Sequence, residues 1–413
     1  MERKLNVCIV SREFPPDTAF GGIGTFSLDT ALMLKERGHH VTVLSQSLGV
    51  TRSFDHHGIT VHKLRIPRPF GTYRFLPALI LGFNYVVLRK LRRLHREEPF
   101  DLVDAPDHLA EGLSAGLFAD IPLVTRLHTP FALLVHLGLN DYRKGPSYAF
   151  IRLAEKIALQ RSDAVYAPCL DLVRRCQTLF SLEAIPTKVF GYPLDLDLFA
   201  PSEQPRRDPN VRLLFLGRYE QRKGIETIVA ALPQIVASEP NVKLTMVGRD
   251  TPNIAGYASA REYIERSLDR AGCLDHVEFR DYVPLEDLPR FFYDHDIVWV
   301  PSLYDNYPIV CLEAMACGKP VVVANSGGLP EMVKDGVTGL VFEAGNPESL
   351  AARTLELCKS PALAERLGKA ARESAAAECS PDAIYAHTMD LYGYALERAA
   401  QPGRSRAALA DRR

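Results

Sequence analysis

The sequence has almost no net charge. Its 413 residues carry 49 Lys and Arg against 50 Asp and Glu. That balance excludes the global positive field on which nucleic-acid binding draws. No Cys-x-x-Cys pair occurs. Cys8, Cys169, Cys176, Cys273, Cys311, Cys317, Cys358 and Cys379 are scattered, several in apolar runs, which reads as buried free thiols in a reducing compartment. No apolar stretch reaches the roughly 18–20 residues needed to span a bilayer. The opening "MERKLNVCIVS" passes straight into a strand-like run, without a signal peptide's apolar region or cleavage site. These absences predict a cytoplasmic protein. The dinucleotide fingerprint GxGxxG is also missing. In "AFGGIGTFSLD" (19–29) Ser27 stands at the third glycine place, and about ten residues separate the motif from the preceding strand. With no acidic residue ending "VTVLSQS" either, a dehydrogenase is disfavoured.

What is present is an ordinary globular composition, 47% hydrophobic and 24% charged, in a chain long enough for two cores. Strands and helices alternate: "LNVCIVS", "GTFSLDTALMLKERG", "HHVTVLSQ", "GITVHKLRI", a helix around 79–96, "FDLVDAP", "PLVTRLH", "SDAVYAPC" and "KVFGYPLD". That order predicts a parallel, doubly wound sheet over 1–191. Residues 192–210, "YPLDLDLFAPSEQPRRDPN", are rich in Pro and charge and read as a linker. The alternation restarts at "VRLLFLGRYE" and continues through "TGLVFEAG", predicting a second α/β domain over 211–380. A C-terminal helix over 381–400, packing back on the N-terminal domain, and a disordered tail over 401–413 complete the expected layout. Two such domains place the C-terminal ends of both sheets across a cleft, where ligands of these sheets bind.

Four features carry chemistry. In "GRYEQRKG" Arg218 and Lys223 follow a buried strand directly, a bidentate fork and a point charge suited to a diphosphate; an exposed basic turn explains them equally well. The glycine-rich 19–29 stretch opens a helix whose backbone N–H groups can approach phosphate; a tight turn is the other reading. His128 ends the strand "IPLVTRLH", placed for the cleft or for a structural role. Within "YDNYPIVCLEAMACGKP" (304–320), Pro308 and Gly318 bracket a helix that is apolar on every face except for Glu313. A buried carboxylate there needs a donor. A protein cation can serve, and so can the two hydroxyls of a ribose. Asp305 lies just beyond that helix N-terminus, beside N–H groups that attract phosphate. The "DLD" at 195–197 and the "DHD" at 294–296 lie in the linker and before a buried strand, and neither is read as a metal site. Residues 68–96 join a short apolar run to Arg89, Lys90, Arg92, Arg93 and Arg96, fitting either a packed helix with a solvated basic end or a peripheral contact with an anionic membrane. His108 and Glu111 in "PDHLAEG" face an acceptor or belong to a surface loop.

"PSLYDNYPIVCLEAMACGKPVVVANSGGLPEMV" resembles the signature of the family 4 glycosyltransferases, retaining enzymes of the two-Rossmann GT-B fold. That family carries Glu-x7-Glu, then EAMA-x-G-x-PV, then GG-x-x-E. "GGIGTF", "LKERGHHVTVL", "VTRLH", "LGRYEQRKGIETIVAAL", "VEFRDYV" and "DGVTGLVFEAGNPESLA" fall in the family's order. The resemblance implies two Rossmann-like domains facing each other across a cleft, and transfer of a sugar from a nucleoside-diphosphate donor to a hydroxyl acceptor, without metal or cofactor. It implies that Glu313 holds the ribose hydroxyls and that Asp305 replaces the first glutamate, which bonds the donor sugar. The backbone around Tyr307, Ile309 and Val310 would bind diphosphate, which Arg218 and Lys223 neutralise. Gly22 would pack against the diphosphate, His128 lie near the transferred sugar, and Tyr282 and Val283 grip the base; Glu331 matches the last acidic position. Asp305 is one methylene shorter than the usual Glu, "DNYP" replaces Glu-Gly-Phe-Gly, and "GYPLD" replaces Asn-Gly-Val-Asp. A glucan phosphorylase shares the layout but is far longer, and no lysine here stands out for its cofactor. A nucleotide-sugar-binding protein without transfer activity is the remaining alternative. Donor base, sugar, acceptor and oligomeric state have no motif.

Overall fold

The structure is a computed structural model that describes residues 3–18, 22–67, 75–140, 142–182, 187–201, 210–252, 254, 256–281 and 283–401. The chain divides into two compact units. One runs to Pro193 and resumes at Pro381, and the other is Leu194–Ser380.

In the first unit the short apolar runs become strands and the 3.6-periodic segments become helices. They are β1 (Asn6–Val10), α1 (Gly22–Glu36), β2 (His40–Ser47), β3 (Arg52–His56), β4 (Ile59–Arg65), α2 (Leu76–Glu97) and β5 (Leu102–Pro106). Then come α3 (Leu113–Phe118), β6 (Leu123–Arg126), α4 (Phe131–His136), α5 (Pro146–Gln160), β7 (Ala164–Ala167), α6 (Leu170–Phe180) and β8 (Thr187–Val189). The sheet order is β3-β4-β2-β1-β5-β6-β7-β8. Central strands such as β1 and β5 are buried along their length, as strands covered on both faces must be. α2 turns Leu79, Ile80, Phe83, Val87 and Leu91 inward, the spacing of one helix face.

Every neighbouring pair is parallel except β3 with β4, so the expected parallel, doubly wound sheet carries an antiparallel strand at one edge. β3 and β4 form a hairpin through His57 and Gly58, both at positive φ (54° and 74°), as the tight turn between twisted strands demands. The polar, largely exposed "RSFDH" lacks the apolar run that marks the other strands.

The second unit contains β9 (Val211–Leu216), α7 (Ile225–Ser238), β10 (Val242–Val247), α8 (Ala260–Arg270), β11 (Val277–Arg280), α9 (Leu288–Tyr293) and β12 (Ile297–Val300). It continues with α10 (Ile309–Ala316), β13 (Val321–Ala324), α11 (Leu329–Met332), β14 (Leu340–Phe342), α12 (Pro347–Cys358) and α13 (Pro361–Cys379). Its six strands run β11-β10-β9-β12-β13-β14, all parallel. α14 (Pro381–Ala399) belongs to the first unit, where Tyr392 donates its hydroxyl to Asp104 Oδ2 at 2.5 Å and Lys188 pairs with Asp390 at 2.5 Å.

The expected linker is anchored where it is described. Tyr192 is buried in the first unit, and Leu194 and Phe199 in the second. Leu194 N–H donates to the Cys379 carbonyl at 3.0 Å, and Arg372 donates to the carbonyls of Leu196 and Phe199 at 3.2 and 3.1 Å. The three apolar side chains among the Pro and Asp residues pull this stretch inward; 202–209 and the tail from 402 lie outside the described residues. Both acidic triplets have structural work: Asp195 Oδ1 accepts from the N–H groups of Asp197 and Leu198, and Asp296 Oδ2 accepts from Arg212 N–H at 2.8 Å. All eight cysteines are free and seven are buried.

Trp299, the one tryptophan, is wholly buried on β12 and donates its indole N–H to Thr354 Oγ1 on α12 at 3.0 Å. Thr354→Val keeps the shape but leaves that N–H without an acceptor. We expect a loss of about 1–3 kcal/mol in urea unfolding followed by Trp299 emission, which reports the second unit. Unchanged stability would show that the bond carries nothing.

Candidate active site

In a doubly wound sheet the chain reverses direction beside its first strand, and the loops that part there leave a crevice. In the second unit that point lies between β9 and β12, so the segments after Leu216 and after Val300 must border it. They meet through charge. Lys223 Nζ donates to Asp305 Oδ2 at 2.6 Å. Arg222 approaches the same oxygen at 3.6 Å while bonding the Tyr304 carbonyl at 3.2 Å and Glu220 Oε1 at 2.9 Å. Burial works against the Asp305 charge, but Lys223 and Arg222 outweigh it and hold the carboxyl below its ordinary value. Arg218 keeps a 57% exposed side chain and touches Glu220 at 3.3 Å, so it is the member of the group most open to a ligand.

Two glycines let these loops close. Gly224 has φ +77°, and a Cβ there would overlap the Pro301 carbonyl. Gly327 has φ +55°, and its Cβ would overlap the Asp305 carbonyl, which also accepts from Gly328 N–H at 2.9 Å. The GG-x-x-E loop is thus packed on the backbone of Asp305, and Glu331 at its end is exposed.

Behind Asp305 stands α10, with Cys311 through Ala316 buried and Glu313 7% exposed. Pro308 is its N-cap, one place earlier than the first-turn position expected, and Gly318 follows its end at φ +70°. Ile309 and Val310 open the helix, so their N–H groups have no partner inside it. Tyr307 differs: its N–H donates to Asn306 Oδ1 at 2.9 Å, and its hydroxyl meets Cys379 Sγ at 3.2 Å. Val283 is partly buried after β11, while Tyr282 lies outside the described residues. No group of three His, Cys, Asp or Glu suited to a metal ion occurs among the described residues.

The first unit has its own switch point, between β1 and β5. Glu111 is not in an exposed loop there. It is 1% exposed and grips Arg12 through the backbone N–H at 2.7 Å and Nε at 3.0 Å. His108, partly buried, sets Nδ1 3.1 Å from the Thr129 carbonyl. His128 stands two residues after the end of β6; its N–H donates to Asp107 Oδ1 at 3.0 Å and its Nδ1 meets the Tyr192 hydroxyl at 3.2 Å. Phe26 of α1 lies edge-on to the His128 ring at 5.1 Å, and Arg126 covers Phe26 at 4.9 Å while forming a buried pair with Asp104. Gly22 is exposed at the first position of α1; residues 19–21 before it lie outside the described ones.

Burial, then the charges of Arg126 and His108, push the His128 ring down to about 3. Burial and Arg12 bring His108 down to about 4. An unfolded ring takes its proton near 6.5 and these folded rings only far below it, so protonation favours the unfolded chain. The stability they contribute is complete above about pH 6.5 and is lost as pH falls toward 4 and below. The ring resonances of His128 should therefore stay those of a neutral imidazole from about pH 8 to 5; a titration near 6.5 would contradict the geometry.

Asp305 and Lys223, far apart in sequence, are thus in direct contact, with Glu313 about one turn along the adjoining helix. Sequence reasoning passed over Arg222, Asp107 and the buried Arg126–Asp104 pair. For Arg222 the signal was present, since three polar residues between Glu220 and Gly224 must turn tightly and one must face inward.

The chain matches the family described as "Glycosyltransferase Family 4" over residues 20–198 and "Glycosyl transferases group 1" over 199–374, which adjoin without a gap. It is 27% identical to a glycogen synthase of Mycobacterium tuberculosis over 96% of this chain and 97% of that one. Its fold is similar to that of a sucrose-phosphate synthase of Thermosynechococcus elongatus, with TM-score 0.79 and 23% identity over 94% of this chain and 98% of the other. It is also similar to Anabaena HepE, solved with UDP and glucose, with TM-score 0.70 and 22% identity over 94% and 98%. With both halves matched in order and two parallel-sheet α/β units in place, the chain belongs to the family 4 glycosyltransferases, enzymes of the GT-B fold.

Proposed function

We propose that this glycosyltransferase moves a sugar from a nucleoside-diphosphate donor to a hydroxyl acceptor, with retention of configuration and without a metal ion. The observation that carries the reading is the gathering of Arg222 and Lys223 about Asp305, with Arg218 on the neighbouring Glu220, beside the first turn of α10. Glycosyl transfer from a diphosphate builds negative charge on the leaving phosphate, and cations fixed before the reaction stabilise that charge without reorganising. In this reading Arg218, Lys223 and the N–H groups of Ile309 and Val310 receive the diphosphate, and Asp305 orients the donor sugar. Glu313 takes the ribose hydroxyls, and Val283 with Tyr282 the base. HepE, solved with UDP and glucose, supports a donor of this class.

In this reading, which follows from the resemblance to the family, the acceptor oxygen bonds to the anomeric carbon on the face from which the phosphate leaves. The C–O bond to phosphate breaks as it does so, and the acceptor proton passes to the departing phosphate oxygen. His128, neutral and held by Asp107 and Tyr192, would sit near the transferred sugar.

The acceptor side is proposed on the first unit, in a cytoplasmic enzyme. α2 exposes Leu81 (50%) and Tyr85 (55%) on the stripe that continues into exposed Arg89, Arg92 and Arg96. No helix among the described residues is long and apolar enough to cross a membrane. Such a face suits an anionic lipid surface, and co-sedimentation with anionic but not neutral vesicles tests it. Turnover of UDP-, GDP- and ADP-sugars in EDTA, with the product anomer read by NMR, tests the reaction. Transfer with the donor's configuration supports it; inversion, or strict dependence on added metal, refutes it.

A further inference from the structure

Glu155 is fully buried on α5 and, among the described residues, has no cation beside it. Its carboxylate instead accepts three backbone N–H groups. Oε1 takes Leu109 at 2.9 Å and Phe131 at 2.8 Å, and Oε2 takes Ala132 at 3.0 Å. These donors come from two separate loops. One is the turn after β5, and the other is the start of α4 after β6. Each loop carries one histidine of the candidate site, His108 or His128.

The first loop does not hold itself. Leu109 and Ala110 stand at φ 52° and 53°, a left-handed conformation that residues with side chains rarely adopt, and here two do so in succession. The Leu109 N–H that Glu155 accepts lies inside that strained turn. Cross-ties between the loops, Asp107 to the His128 N–H and His108 to the Thr129 carbonyl, depend on both loops staying put. A carboxylate is required because it accepts at both ends, whereas an amide of the same shape would set N–H against one of these donors.

We propose that Glu155 is a positioning residue for sugar transfer: it touches no substrate, but pins the two loops whose alignment presents His108 and His128 to the reacting sugar. This rests on the functional reading of His128 given above. Burial pushes the Glu155 carboxyl up to about 8, with the three N–H groups pulling the other way, so the test is run at about pH 9, where the carboxylate is ionised.

The test compares wild type, Glu155→Gln and Glu155→Ala for kcat, for donor affinity by calorimetry, and for the ring resonances of His108 and His128. Most of the proposed donor contacts, those of Arg218, Lys223, Asp305 and Glu313, belong to the second unit, so donor Kd should hold within about twofold, while kcat falls by about a hundredfold in Glu155→Ala, the effect of displacing reacting groups by about 1 Å. Glu155→Gln, which keeps the shape and one acceptor, should fall between, with both histidine spectra shifted. Wild-type kcat in Glu155→Gln, or a loss that merely follows its folded fraction, overturns the proposal. If the wild type transfers no sugar at all, the functional reading fails instead, and the histidine resonances still decide: unchanged in Glu155→Gln, they overturn the tie as well.

Discussion

Lys223→Met is expected to lower kcat by about 10²–10³-fold, the range for removing one charge-stabilising donor from a preorganised site. KM for the donor should change far less, because the charge Lys223 faces grows in the transition state. The same substitution should destabilise the second unit. Asp305 is left buried with only Arg222 nearby, at 3.6 Å. The loss should therefore fall below the about 3–5 kcal/mol seen when a buried charge loses its only partner. The two effects separate in a double variant. Asp305→Asn with Lys223→Met removes the orphaned charge, so stability should return toward wild type while activity stays lost. A double variant that recovers activity would mean that the pair is structural and the phosphate lies elsewhere.

Gly327→Ala is expected to be worse than any surface glycine substitution in this unit. The residue is left-handed, and the added methyl would overlap the Asp305 carbonyl, so either the 325–328 loop or Asp305 itself must move. Gly336→Ala is the matched control, with φ +71° but nothing within 4 Å of its Cβ. Both should lose about 1–2 kcal/mol to backbone strain. Only Gly327→Ala should add a packing loss and weaken donor binding at least tenfold, or about 1.4 kcal/mol. Urea unfolding read at Trp299 and donor titration measure the two terms. Equal effects in both variants would show that the loop does not set Asp305.

Much of this was legible because buried elements announce themselves by what surrounds them. Continuous apolar runs such as "VCIV" and "IVWV" have no stable place except the interior of a sheet, so the two α/β units followed. Glu313 stood out because its neighbours on α10 are apolar. Glu155 did not, because "IRLAEKIALQ" reads as an amphipathic helix in which a glutamate is ordinary. Only the fold brings Leu109, Phe131 and Ala132 to it. β3 was missed for the opposite reason, since an exposed edge strand needs no apolar run. The tie between Tyr392 and Asp104 spans 288 positions, and no local pattern specifies which buried acid a distant tyrosine reaches. At the switch point of the second unit, Arg218 and Lys223 were readable from their place after a strand. The turn at Gly224 decides that Lys223 and Arg222 face Asp305 while Arg218 remains open.

The most direct measurement is calorimetric titration of UDP, GDP and ADP, in EDTA, into wild type and Glu313→Ala. One nucleotide should bind the wild type without metal and lose at least about tenfold in affinity, 1.4 kcal/mol, when the buried carboxylate is removed from a variant that still melts cooperatively. Equal affinity in the two proteins, or binding only after metal is restored, would contradict a donor site built from Arg218, Lys223 and the first turns of α10.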